Sequence, residues 1–151
     1  MALGERTKIL RRKDGKPEAA NGKVISASHT ENLTFAVASK TPVSCDIETI
    51  VERNSEIWTN LLGETDFKAA QNISSEASED YQISATRIWS VRECLKKISA
   101  TSNCSLLLEK VEKDGWVILS TGNSSIYTYP AQVAGQKTIL SVLVKKNGKS
   151  I

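Results

Sequence analysis

The hydrophobic pattern changes period twice along the chain, and that switch limits the fold more than any single motif. Residues 24–39 (VISASHTENLTFAVAS) read as two strands around a polar turn at Thr30-Glu31-Asn32, and 42–47 (PVSCDI) as a third strand paired with that hairpin. Between 51 and 62 the apolar positions become Val51, Ile57, Trp58, Leu61 and Leu62, a helical spacing with Gly63 as its stop. Residues 65–84 are polar and irregular, with room for a short helix over 66–72 and then a loop. Residues 85–99 place Ile88, Trp89, Val91, Cys94, Leu95 and Ile98 on an amphipathic helix. The β pattern then returns over 105–112, 115–120, 124–129 and 137–146, with turns at Lys113-Asp114-Gly115, Gly122-Asn123 and Gly135. Strands outside and helices inside predict an α+β fold with helices packed on one antiparallel sheet.

The 151 residues suit one domain, 1–151, that buries roughly 70% of its unfolded surface. Residues 1–23 form a basic N-terminal segment. In it ERTKILRRK (5–13) is an edge-strand candidate, Asp14-Gly15-Lys16-Pro17 a turn, and 18–23 a loop. A net charge of +3 leans mildly toward anionic ligands. The aromatic fraction of 5%, with Trp58 and Trp89 on apolar helix faces, argues against a nucleic-acid-binding module. No apolar run is long enough for a membrane span and no h-region marks a secretory signal, so a cytoplasmic location is expected. In that setting the sequons at Asn32, Asn72, Asn103 and Asn123 are chance matches, and Cys45, Cys94 and Cys104 are free thiols.

Chemistry concentrates in four places. Asp46 and Glu48 are two apart, so on a strand they share a face. Two adjacent carboxylates suit Mg²⁺ and a phosphate substrate, although a solvated strand end looks the same. Glu93 and Lys97 stack one helical turn apart, either as a surface ion pair or as a carboxylate and an ammonium for catalysis. Arg92 adds a cation beside Glu93. His29, the only histidine, precedes a turn among hydroxyls at Ser28 and Thr30, and Lys16 stands at the tip of a turn. Both are candidate phosphate donors, and both have bland readings as structural or solvated side chains. Trp58, Trp89 and Trp116 read as packing residues, and Cys94 as a buried small hydrophobe.

In this order the segments resemble the 4′-phosphopantetheinyl transferase superfamily, specifically the C-terminal portion of its surfactin-type members. The matching residues are Gly15-Lys16-Pro17, Ser26-Ala27-Ser28-His29-Thr30 followed by Phe35-Ala36-Val37-Ala38, Asp46-Ile47-Glu48, and Trp89-Ser90-Val91-Arg92-Glu93 with Lys97. Three features depart from the family pattern. Ser44-Cys45 stands where glycine usually precedes the D-x-E, Arg92 replaces lysine, and the chain matches from partway into the first of the family's two similar halves. The resemblance implies a short-form domain, cut from or fused to a polyketide synthase. It implies transfer of the phosphopantetheine arm of coenzyme A to a serine of an acyl or peptidyl carrier protein. It assigns Mg²⁺ to Asp46, Glu48 and Glu93, catalysis to Glu93 and Lys97, and coenzyme A to Lys16, Ser28, His29 and Arg92. A second copy or a neighbouring megasynthase domain would complete the cleft. The competing expectation is a non-catalytic carrier-protein docking or structural domain of the same fold.

Overall fold

A computed structural model describes residues 6–98 and 103–146. It is α+β, with two antiparallel sheets and two helices. The first sheet has four strands in sequential order: β1 (Ile9–Arg11), β2 (Pro17–Ala19), β3 (Val24–His29) and β4 (Thr34–Ser39). The second has five, ordered β5-β9-β8-β7-β6: β5 (Val43–Thr49), β6 (Leu107–Val111), β7 (Val117–Thr121), β8 (Ser124–Val133) and β9 (Gln136–Lys145). The expected single sheet is therefore two. The expected pairing of residues 42–47 with the hairpin is also corrected. β5 takes its ladder from β9, in register from Val43↔Val144 to Thr49↔Thr138. Its other edge meets β3 and β4 through side chains: the Cys45 N–H donates to Ser26 Oγ at 3.0 Å. A third strand, β2, lies where the sequence suggests turn and loop.

Helix α1 (Ser55–Ala77) starts at Asn54, whose side chain accepts the Ile57 N–H at 2.9 Å. Gly63 does leave helical geometry, at φ 76° and ψ 163°, a region open essentially to glycine. It kinks the helix without ending it. Beyond the kink Asp66, Ala70 and Ile73 are buried on one face, so the segment expected to be mostly loop stays helical. A charged residue at Asp66 and few apolar residues among many polar ones hid this face from a period count. Ser78 closes α1 in the left-handed conformation. Asp80 then caps α2 (Tyr81–Ile98), its carboxylate accepting the Gln82 N–H at 2.7 Å, so that helix begins four residues before the expected start. None of the helices among the described residues is long and apolar enough to cross a membrane.

The core lies between α2 and one face of the five-stranded sheet. Trp58, Ile73, Ile88, Val91, Leu119, Ile126 and Leu143 are almost fully buried in it. One charged side chain is set into this core. Arg87, fully buried, spends every donor: two bonds to Glu79 at 2.9 Å each, two to Thr128 at 2.8 and 3.0 Å, and one to the Gly115 carbonyl at 2.9 Å. It joins the start of α2 to β8 and to the turn before β7. Breaking a buried pair by removing one partner costs about 3–5 kcal/mol. Arg87→Met is expected to lower unfolding free energy by about that much in urea titrations, because Glu79 loses its counter-charge and keeps only the Ser84 hydroxyl, and the Gly115 carbonyl loses its Arg87 donor.

Candidate functional site

The C-terminal half of α2 runs antiparallel to β5, and the site is built along that seam. Asp46, 3% exposed, lies in the middle of β5 rather than at a solvated strand end. A carboxylate there must be hydrogen-bonded. Its Oδ1 accepts the Ser28 hydroxyl at 2.8 Å and Lys97 Nζ at 3.1 Å, and its Oδ2 accepts the Ser90 hydroxyl at 2.9 Å. Lys97 Nζ also donates to the Cys45 carbonyl at 2.7 Å. Its own carbonyl, in the last turn of α2, accepts Lys16 Nζ at 3.0 Å, a favourable place for a cation at a helix C-terminus.

The expected stacking of Glu93 on Lys97 does not occur. Lys97 turns inward to the buried carboxylate and strand carbonyl, where charge-assisted bonds are stronger than those of an exposed i,i+4 pair. Glu93 instead accepts Lys96 Nζ at 2.6 Å. Glu48 faces the same helix one turn earlier, and its Oε1 accepts the Trp89 indole N–H at 3.2 Å. Burial raises the Glu48 pKa above the ordinary carboxylate range. The charge of Asp46 adds to the rise, the Trp89 hydrogen bond opposes it, and Glu93 and Lys97 make smaller contributions of opposite sign. The three carboxylates thus form one electrostatic group.

Two of the expected ligand residues stand apart from the Asp46 group. Arg92 grips Asp66 of α1 with two bonds of 2.6 Å and the Cys104 carbonyl with one of 2.8 Å. That hydrogen-bonded pairing with Asp66 raises its pKa still further above its usual value. It ties α2 to α1 beside a cavity of about 500 Å³ that includes Trp89 and Lys96. His29 is exposed at the end of β3. Strand alternation aims Ser28 at Asp46 and sends the next residue to the other face. No hydrogen bond among the described residues joins the imidazole to the Asp46 group.

Lys16 and Lys97 line a second groove, of about 510 Å³, walled by Arg12, Pro17, Ile25 and Ile98 among others. Its lining mixes the cations Arg12, Lys16 and Lys97 with Asp14, which pairs with Arg12, and with apolar side chains. Lys97 separates it from the carboxylates, so positive and negative ends lie side by side along α2. Carboxylate oxygens are the donors a hard cation prefers. No group of three or more His, Cys, Asp or Glu side chains among the described residues is gathered closely enough to hold a metal.

Sequence reasoning passed over two contributors. Trp89 was expected in the core, yet it is half-buried and donates to Glu48. Ser90 carried no role, yet it holds Asp46. The signal was available: Ser90, Glu93 and Lys97 fall at i, i+3 and i+7 and share one helix face. Cys45 and Cys94 are free and buried, and burial raises both thiol pKa values, so neither serves as a nucleophile.

Because the Glu48 pKa is raised on folding, its contribution is favourable while protonated and is lost as pH rises through the folded-state value. Glu48→Gln keeps an oxygen for Trp89 and removes the ionisation. Its urea midpoint is expected to match the parent at about pH 4 and to exceed it increasingly toward neutrality. A constant difference across that range would contradict the carboxylate cluster.

A scan against protein-family models finds no match for this chain, and a search of curated proteins finds none of significance.

Proposed function

We propose that the chain transfers the 4′-phosphopantetheine arm of coenzyme A to a serine of an acyl or peptidyl carrier protein. One observation carries this reading. Four segments far apart in sequence, each weak alone, converge through direct hydrogen bonds: Lys16 to the end of α2, Ser28 to Asp46, Asp46 to Ser90 and Lys97, and Glu48 to Trp89. Those are the segments whose order resembles the transferase superfamily.

The reaction forms a bond from the serine oxygen to the phosphorus of the pantetheine phosphate. It breaks that phosphorus's bond to the bridging pyrophosphate oxygen and releases adenosine 3′,5′-bisphosphate. Glu93 accepts the serine proton, and Glu48 lies beside it as a second carboxylate. Lys97 opposes the negative charge that collects on the pyrophosphate oxygens, with Lys16 in the neighbouring groove as a further phosphate contact. The apolar side chains of that groove suit the non-phosphate part of the ligand. The family resemblance gives Mg²⁺ to Asp46, Glu48 and Glu93, but among the described residues these carboxylates are not gathered closely enough to hold it and Asp46 is engaged by Ser28, Ser90 and Lys97, so no step here runs through a metal. Asp46 also has a job of its own here, since it holds Ser28, Ser90 and Lys97 in place. Arg92 acts by fixing α1 against α2, and His29 has no part in the assembled group.

A second reading has an observation in its favour. Asp46, Glu93 and Arg92 all find partners within the chain, as they would in a carrier-protein docking or structural domain that keeps the fold without the chemistry.

Mass spectrometry separates the two. With coenzyme A and Mg²⁺, the carrier protein is expected to gain about 340 Da, the mass of the transferred arm. Glu93→Gln, whose side chain makes only an exposed pair, is expected to slow transfer at least ~10²-fold with an unchanged melting temperature. Lys97→Met is expected to slow it and also to destabilise the fold by about 1–3 kcal/mol, between the values of exposed and buried pairs. Absence of any mass gain on several carrier proteins supports the docking-domain reading.

A further inference from the structure

The outermost strand of a sheet offers unpaired backbone groups to any other strand, and most edges of this protein are guarded against that. β1 has only three residues and ends in Arg11. β6 carries Glu109 and Lys110 at a bulge in its register. The edge of β5 away from β9 lies against the β3–β4 hairpin, where the Cys45 N–H bonds Ser26. β4 has none of these devices. Its sequence Thr34-Phe35-Ala36-Val37-Ala38-Ser39 holds no charge and no proline, and it pairs with β3 without a break from Thr34 to Ser39. The Thr30 N–H donates to the Leu33 carbonyl at 2.9 Å, which closes the hairpin with a hydrogen-bonded pair. From there bonded and non-bonded pairs alternate along the antiparallel ladder. Phe35, Val37 and Ser39 therefore exchange bonds with β3, while Thr34, Ala36 and Ala38 turn their N–H and C=O groups outward. None of those outward groups has a hydrogen-bond partner among the described residues.

We propose that β4 pairs with β4 of a second copy of the chain, antiparallel about a two-fold axis at Ala36, joining the two four-stranded sheets edge to edge. The inference does not depend on the ligand of the α2–β5 site. Three features of residues 31–40 select that partner. First, the outward groups are symmetric about Ala36. With Ala36 opposite its own copy, Thr34 meets Ala38 of the second copy and Ala38 meets Thr34, so every outward N–H and C=O of both strands finds its complement. Any shift in register leaves some of them unpaired. Second, the same register sets Phe35 opposite Val37 of the second copy, once on each side of the axis. Both side chains are half-buried, and an aromatic residue opposite a β-branched one is a favourable cross-strand pair. Third, the ends of the segment carry opposite charges. Glu31 precedes the strand and Lys40 follows it; both are exposed, and neither forms an ion pair among the described residues. The antiparallel arrangement brings the Glu31 end of each copy to the Lys40 end of the other, where a parallel one would set like charges together. A strand from another protein would need an acid at its start, a base at its end, and an aromatic and a β-branched residue two apart between them. A second copy supplies all of these in one register.

Sedimentation velocity on the full chain, from about 1 to 300 µM, tests this. So small a contact associates weakly, and the expected result is a rise toward twice the chain mass in the upper part of that range. Ala36→Pro removes one outward N–H and puts a ring into the new ladder without touching a bond to β3, since proline is accepted on an edge strand whose N–H faces solvent. It is expected to stay monomeric throughout with an unchanged circular dichroism spectrum. Glu31→Lys and Lys40→Glu, at exposed positions outside the strands, are each expected to raise the dissociation constant about 3–10-fold, and the double charge swap to return it to the parent value. A parent chain that is monomeric at every concentration overturns the proposal. So does a dimer that persists in folded Ala36→Pro, or a double swap that dissociates as readily as the single variants, since the contact then lies elsewhere. Should Ala36→Pro fail to fold, the charge swap decides alone.

Discussion

The structure depends on one buried carboxylate. Asp46 sits inside the protein, and a carboxylate there is tolerated only with donors around it. Its three donors come from two elements: Ser28 on the four-stranded sheet, and Ser90 and Lys97 on α2, with Lys97 also reaching the β5 backbone. The two sheets share no ladder, so this group and the Ser26 and Cys45 bonds next to it carry their registration. A hydrophobic patch would allow β3 to slide along β5. Directional bonds to a fixed oxygen do not.

Arg87 performs the matching task at the other end of α2. It lies ten residues before Lys97, roughly 15 Å along the helix axis. One end of the helix is fixed to β8 by a buried cation and the other to β5 by a buried anion. Between them Ile88, Val91 and Leu95 fill the apolar interior. Buried pairs of this kind contribute little net stability against an apolar alternative, but their geometry is exacting. The helix has little freedom to rotate or translate, and that rigidity fixes the face carrying Ser90, Glu93 and Lys97.

The site's chemistry follows from where these restraints end. Past Asp46 the seam opens toward solvent. Glu48 and Glu93 stand on one side of Lys97, and a groove of mixed charged and apolar lining on the other. The raised pKa of Glu48 belongs to the same arrangement, because burial and the neighbouring charges of Asp46 and Glu93 disfavour its ionised form.

Much of the secondary structure was legible in the chain, because local period and turn chemistry determine it. The β3–β4 hairpin, β5 and the last strands follow from β-branched runs and turn residues. Asp46 and Glu48 on one strand face, and Glu93 and Lys97 on one helix face, follow from spacing. The continuation of α1 past Gly63 was not legible, since its buried face includes a charged residue, Asp66, and only a few apolar ones among many polar neighbours. Nor could spacing say that β5 leaves the hairpin for β9, because both edges of a strand offer the same backbone groups and only packing against α2 chooses between them. That choice decided the site. It buried Asp46, drew Lys97 away from Glu93 and gave Ser90 and Trp89 their partners. It also left His29 and Arg92 outside the group. Sequence by itself determined which chemical groups were present and on which local face each stood. Tertiary structure decided which of them meet, because desolvating Asp46 made its hydrogen-bond partners obligatory while the exposed groups remained free to pair with their nearest neighbours.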